Sequence, residues 1–287
     1  MAKAELFQKD IPENERVVYY TSEEDDPIKT DEQERKEKVA LPEGYEYIPK
    51  NPLVRLYSKM MFGIFWVFGQ WYERCYWKAK FHGREKLKKA KGTGYVMYCN
   101  HTNPFHDVFG PALAADRRIY TVISPVNLKI PGIGPVLPMI GGVPLGVTDS
   151  EKKAMNEAVD TRLVKQKKCL VIYPEAHVWP YATEIRKFPA GGKSFKYAVR
   201  NNLPVFAMTT TYHKRKNSKR DLPRMDIYVD GPFFPDTKLS DAENQEMLSK
   251  KVYESMKKYA KKNTYEYFKY IKKSDKIDSK DKKEVKK

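Results

Sequence analysis

The stretch Tyr95-Val96-Met97-Tyr98-Cys99-Asn100-His101-Thr102-Asn103-Pro104-Phe105-His106-Asp107-Val108-Phe109 decides the reading of the chain. Tyr95 to Cys99 is an unbroken apolar run of the length expected for a buried strand. It stops at Asn100-His101, and Pro104 then suits the first turn of a helix, where a missing N–H costs nothing. The segment predicts a strand, a tight connection carrying His101, and a helix with Asp107 one or two turns inside it. A histidine with a carboxylate at its second ring nitrogen is the core of a general base.

Working outward, the same alternation repeats. The helix begun near Pro104 continues through Val108–Ala115, and the runs Ile119–Ile123, Cys169–Tyr173, Pro204–Met208 and Met225–Val229 are further strands. Thr148 and Glu151 form a capping box for a helix with Met155, Ala158, Val159 and Leu163 on one face. Pro189-Ala190-Gly191-Gly192 precedes another helix, containing Phe195 and Ala198. Residues 124–147 are apolar but crowded with Pro and Gly, which excludes a long regular element and suits the wall of a ligand groove. Residues 83–239 are therefore expected to form an α/β domain, with a largely parallel central sheet flanked by helices. In such sheets ligands gather at the carboxyl ends of strands, where Asn100-His101 and Pro174-Glu175 both fall.

Three other regions flank this domain. Residues 1–50 are a polar, acidic arm, with Ser22-Glu23-Glu24-Asp25-Asp26 at its middle, expected to be a partly disordered, solvated tail. Residues 51–82 change character sharply. The uncharged run around Met60–Gly69 is roughly a dozen residues, short of the ~20 that span a bilayer. Arg55, Lys59, Arg74, Lys78 and Lys80 flank it, and Trp66, Trp71, Tyr72, Tyr76 and Trp77 gather at its end. That pattern predicts a membrane-associated, interfacial or re-entrant helix; the alternative is a buried core helix. Residues 240–287 open on a second capping box, Ser240 and Glu243, and continue as an amphipathic helix and a Lys-rich tail. The tail suits either a polybasic contact with anionic lipid or a solvated terminus.

The 287 residues carry a formal net charge of +17, which calls for an anionic partner. The aromatic residues cluster with the apolar segment and do not interleave with the basic ones. Membrane lipids are therefore the expected partner, and nucleic acid is not. Cys75, Cys99 and Cys169 show neither paired nor metal-like spacing and read as reduced thiols, with no metal expected.

The motifs together resemble the glycerolipid acyltransferases of the lysophosphatidic-acid acyltransferase (PlsC) type. Asn100-His101 followed by Asp107 resembles that family's first motif. Ile130-Pro131-Gly132-Ile133-Gly134, running into Gly142-Val143-Pro144-Leu145, is similar to its second block. Tyr173-Pro174-Glu175 resembles its Phe-Pro-Glu-Gly motif, and Leu203-Pro204-Val205 its fourth. The resemblance implies direct transfer of a fatty acyl group from acyl-CoA or an acyl carrier protein to a lyso-lipid hydroxyl at the cytoplasmic face of a membrane. His101 would be the base and Asp107 its orienting carboxylate, with no acyl-enzyme and no further cofactor. Glu175 would bind the acceptor or organise the site.

Three departures stand out. Five residues separate His101 from Asp107, where the family has four, and this leaves His106 as a competitor for one of the two roles. Val147 stands where the family places a phosphate-binding Arg, and Ala176-His177-Val178 replaces its Gly-Thr-Arg. Arg186, Lys187 and Lys193 are the expected replacements for the missing cation, Arg186 foremost because a guanidinium grips phosphate bidentately. A glycolipid or amino-lipid acceptor, or a non-catalytic lipid-binding role on the same fold, are the alternatives.

Overall fold

The computed structural model describes residues 10–24, 26, 27, 39–115 and 117–273. Strand β1 (Val17–Tyr20) comes first, followed by helix α1 (Pro52–Trp71), which ends in a π-helical turn at Tyr72–Tyr76. Then come β2 (Lys80–His82), β3 (Tyr95–Cys99), α2 (Pro104–Ala115), β4 (Ile119–Ile123), the short α3 (Leu137–Ile140) and β5 (Gly142–Pro144). The chain continues through α4 (Asp149–Asp160), a π-helical turn at Thr161–Lys165, β6 (Cys169–Ile172), α5 (Lys196–Arg200), β7 (Val205–His213), β8 (Arg224–Phe233), α6 (Asp241–Ala260) and β9 (Lys269–Lys272).

Seven strands form the main sheet in the order β2-β8-β7-β3-β6-β4-β5, with β3 at its centre. β7, β3, β6, β4 and β5 run parallel. The β7–β8 hairpin reverses direction, and β2 pairs parallel with β8. The expected α/β class with a largely parallel sheet is therefore observed, with an antiparallel edge added. β3 is an uninterrupted apolar run because both of its faces are covered. Tyr95, Met97 and Cys99 join one core with Trp77, Tyr181 and Phe206, while Val96 and Tyr98 join another with Val159, Leu248 and Met256.

β7 extends well past Met208. Thr209, Thr210 and Thr211, beyond the expected end of the strand at Met208, are buried and continue it. Both predicted capping boxes form, at Thr148 with Glu151 and at Ser240 with Glu243. Residues 124–147 are short turns, α3 and β5, as the breakers require. Cys99 and Cys169 are buried and Cys75 is exposed; all three are free thiols.

Two expectations about the chain's flanks need correction. The acidic arm is not simply a solvated tail, because β1 pairs in parallel with β9, Val17 opposite Lys269, in a separate two-stranded sheet. Ile11 is buried beside them, and its N–H donates to the Tyr267 hydroxyl. The segment after α6 likewise ends in β9. The lysines beyond Lys273 lie outside the described residues.

α1 starts where Asn51 accepts a hydrogen bond from the Leu53 N–H, with Pro52 in its first turn. It is not a buried core helix. Gly69 sits so close to Phe109 that a Cβ there would lie 2.7 Å from the ring, and Ser58 donates to the Met139 carbonyl. These contacts fix one side of α1 on α2 and α3. On its outer side Leu53, Leu56, Met60, Ile64, Val67 and Trp71 are exposed. Their spacing of three and four places them in one stripe. Among the described residues, no helix is long and apolar enough to cross a membrane.

Candidate active site

The connection after β3 is held by backbone bonds. Asn100 acts as an extra ladder rung: its amide donates to the Thr210 carbonyl and its Oδ1 accepts the Thr210 N–H. The Glu175 carboxylate accepts the His101 N–H at 2.7 Å and the Arg186 N–H at 2.8 Å. Trp179 and Tyr181 N–H groups donate to the carbonyls of His101 and Thr102. Asn103 then caps α2, its Oδ1 accepting from Phe105 and His106.

His101 Nδ1 lies 2.6 Å from Asp107 Oδ2. The extra residue between them is absorbed in the turn at 101–103, and the Asn103 N–H also bonds Asp107 Oδ2. Tyr173 stacks on the imidazole at 4.4 Å and donates its hydroxyl to the Asp107 carbonyl. Asp107 is buried, whereas the His101 side chain is 21% exposed. Its Nε2 has no hydrogen-bond partner among the described residues. With Nδ1–H held by Asp107, the imidazole presents Nε2 as a proton acceptor towards solvent.

His106 has different surroundings. It is fully buried, with Nδ1 2.9 Å from Glu73 Oε2 and Nε2 2.8 Å from Thr210 Oγ1. Burial pushes the Glu73 carboxyl above its usual range, partly offset by His106. Glu73 comes from the π-turn that ends α1, so this pair pins α1 to the helix that carries Asp107. Of the two histidines, His101 is the one open to solvent, and His106 is internal.

Glu175 is buried across the backbone of the two loops it joins. Burial lifts its carboxyl to about 7, opposed by the two N–H groups it accepts. It organises the His101 connection. Arg186 differs from expectation. Its guanidinium is buried over Trp179 at 4.5 Å, Tyr270 at 4.9 Å and Tyr20 at 5.2 Å, with Glu23 at 3.8 Å. Cations are held this way by aromatic faces, and the open phosphate grip expected of Arg186 is absent because Glu175 draws its backbone inward. Lys193 is exposed in a turn packed near α6, without a bond to the other site residues. His101, Asp107 and Glu175 therefore come together, and Lys193 does not join them.

Sequence reasoning missed Glu73, Thr210 and Tyr173 as members of this site. Glu73 left a signal: a lone carboxylate directly after an apolar run needs a buried partner if its helix docks. Thr210 left another, in three consecutive threonines ending an apolar strand. Among the described residues, no group of three or more His, Cys, Asp or Glu side chains is arranged to hold a metal ion.

A family model described as Acyltransferase matches residues 78–211, the span that carries β3, His101, Asp107, Glu175 and Thr210. The domain is an acyltransferase. In fold it is PlsC-like. The crystal structure of the 1-acyl-sn-glycerophosphate (LPA) acyltransferase PlsC from Thermotoga maritima superposes with a TM-score of 0.52, at 18% identity over 75% of this chain and 83% of that one. No curated protein matches the chain. Within this acyltransferase domain the His101–Asp107 contact lies at the carboxyl end of the central strand, where ligands of α/β sheets collect.

Proposed function

We propose that this acyltransferase moves a fatty acyl group from the thioester of acyl-CoA or acyl carrier protein to the hydroxyl of a lyso-glycerolipid, with His101 as general base. The observation that carries the reading is the 2.6 Å His101–Asp107 contact, which leaves Nε2 facing outward. His101 Nε2 takes the hydroxyl proton as the oxygen attacks the thioester carbonyl. The tetrahedral intermediate then collapses, the C–S bond breaks, and the imidazolium returns its proton to the leaving thiolate. Asp107 fixes the tautomer and stabilises the imidazolium. A positioned histidine base contributes about 10²–10⁴ in rate.

The outer stripe of α1 supports a location at a membrane surface, which the expected cytoplasmic face would provide. A 20-residue helix is about 30 Å long, and an apolar face of that size laid in the headgroup region suits a lipid substrate. 1-Acylglycerol-3-phosphate is the first acceptor to test. The enclosure of Arg186 favours a second reading of the headgroup, a lyso-glycolipid or amino-lipid, because the guanidinium expected to meet phosphate already lies among three rings. Thiol release from acyl-CoA, measured with each acceptor in turn, tests both. Release that depends on an acceptor and is lost in His101→Ala supports the proposal. Release unaffected by that change, or no transfer to any lyso-lipid, refutes it.

A further inference from the structure

Helix α2 carries a proline inside it, Pro111. In an α-helix each carbonyl accepts the N–H four residues further on. The residue four after Asp107 is Pro111, which has no N–H. The Asp107 carbonyl is therefore denied its helical donor, and the pyrrolidine ring crowds it as well. Asp107 is buried, and a buried main-chain acceptor costs free energy if left unpaired. Tyr173 supplies the donor: its hydroxyl bonds the Asp107 carbonyl at 2.6 Å.

The same side chain touches the other member of the pair. β6 pairs with β3 with Ile172 opposite Tyr98, so Tyr173 leaves the sheet one residue beyond that rung, beside the turn that carries His101. Its ring stacks on the imidazole, with centroids 4.4 Å apart and planes 28° from parallel. Asp107 is thereby held from two directions, by the Asn103 N–H on its carboxylate and by the Tyr173 hydroxyl on its carbonyl. A Phe, the first residue of the motif that 173–175 resembles, would keep the stack and lack the hydroxyl bond.

We propose that Tyr173 is a positioning residue for proton transfer by His101, its hydroxyl taking the place of the helical N–H that Pro111 lacks and its ring fixing the plane of the imidazole. The proposal rests on the reading of His101 as the base. Pro111 opens the Asp107 carbonyl, the hydroxyl fixes the backbone that carries the carboxylate, and the ring stops the imidazole from turning away from that carboxylate. Nδ1 then stays on Asp107 and Nε2 stays outward. The aromatic face also favours the imidazolium formed during transfer.

The test is acyl transfer from palmitoyl-CoA to 1-acylglycerol-3-phosphate by the full chain, with Tyr173→Phe, Tyr173→Leu and Pro111→Ala, and with Tyr173→Phe in the Pro111→Ala background. Removing the hydroxyl alone should lower kcat and kcat/KM together by about tenfold, with KM unchanged. Removing hydroxyl and ring in Tyr173→Leu should lower both by about a hundredfold. Alanine at 111 returns a helical N–H to the Asp107 carbonyl, so in that background Tyr173→Phe should cost less than about threefold. Wild-type kcat in Tyr173→Phe overturns the proposal. An equal cost in both backgrounds does so too, because the hydroxyl would then not act through that carbonyl. A raised KM at unchanged kcat makes Tyr173 a substrate contact and overturns it as well. His101→Ala separates this inference from the reading beneath it. An inactive His101→Ala beside a fully active Tyr173→Leu sinks the positioning role alone. An active His101→Ala, or no transfer by the wild type to any lyso-lipid, sinks the base with it. NMR of histidine-labelled protein checks the stack without substrate and on folded chains only. The His101 ring protons should be shifted upfield in the wild type and in Tyr173→Phe, and released in Tyr173→Leu; identical His101 signals in all three overturn the proposal.

Discussion

His101 and His106 sit five residues apart, and each touches a carboxylate. His101 meets Asp107 at 2.6 Å with its second nitrogen facing outward, while His106 meets Glu73 at 2.9 Å with its second nitrogen on Thr210. A histidine–carboxylate contact therefore does not distinguish the two. Access to the other nitrogen does, and it is what singles out His101 as the proposed base. In His101 the partner carboxylate comes from the next helix in sequence and leaves the ring at the surface. In His106 it comes from a separate helix that closes over the ring, and Gly110 packs against the ring's other side. One pair keeps a ring nitrogen open to a ligand, as the proposed base requires, and the other ties α1 to the domain.

The strongest way to break this contrast is to remove each imidazole in turn. His101→Ala should lower kcat by about 10²–10⁴ while the thermal midpoint stays close to wild type. A catalytically intact His101→Ala would move the base elsewhere. His106→Ala should act on stability, leaving Glu73 buried without its partner, at a loss of about 3–5 kcal/mol by urea unfolding. If the purified, folded variant lost activity as completely as His101→Ala, the division of roles would fail.

Glu175 sharpens the comparison through pH. Its carboxyl is lifted from 4.5 to about 7 by burial. A raised acid contributes stability below its unfolded value and loses it as pH rises towards its folded one. Gln does not titrate, so between about pH 4.5 and 7 the stability of Glu175→Gln should gain roughly 3 kcal/mol relative to wild type. A flat difference in urea midpoints across that window would show that Glu175 is not held up by its surroundings. The smallest effect is expected at Gly110, where a Cβ would lie 2.3 Å from the His106 ring. Gly110→Ala should cost about 1–3 kcal/mol with little change in kcat, measured on the folded fraction.

The sequence carried the centre of the molecule well and its edges poorly, for physical reasons. β3, His101, Asp107 and Glu175 were legible because an apolar run, a strand end and Pro104 are local signals. The extra residue before Asp107 left His101 and His106 open, since only the Asn103 cap shows that the turn absorbs it. Glu73 was invisible as a partner because its bond to His106 crosses 33 positions and depends on how α1 docks. Arg186 was misjudged for a related reason. A guanidinium reads as a surface cation until the rings that enclose it are placed, and Tyr20 and Tyr270 come from opposite ends of the chain. The membrane-like segment was legible as an apolar helix, and only packing separated its docked side from the Leu53–Trp71 stripe.

The pairing of β1 with β9 sets an order of events during synthesis. Tyr270 donates its hydroxyl to the Pro180 carbonyl and, with Tyr20, packs on Trp179, whose N–H holds His101. A nascent chain that has passed Thr210 already contains every group of the His101–Asp107 connection. It lacks the brace on the loop beneath it until Lys269–Lys272 has left the ribosome and found a strand made some 250 residues earlier. The enzyme is thus assembled from its middle, and its His101 loop is secured by the last described strand to be made.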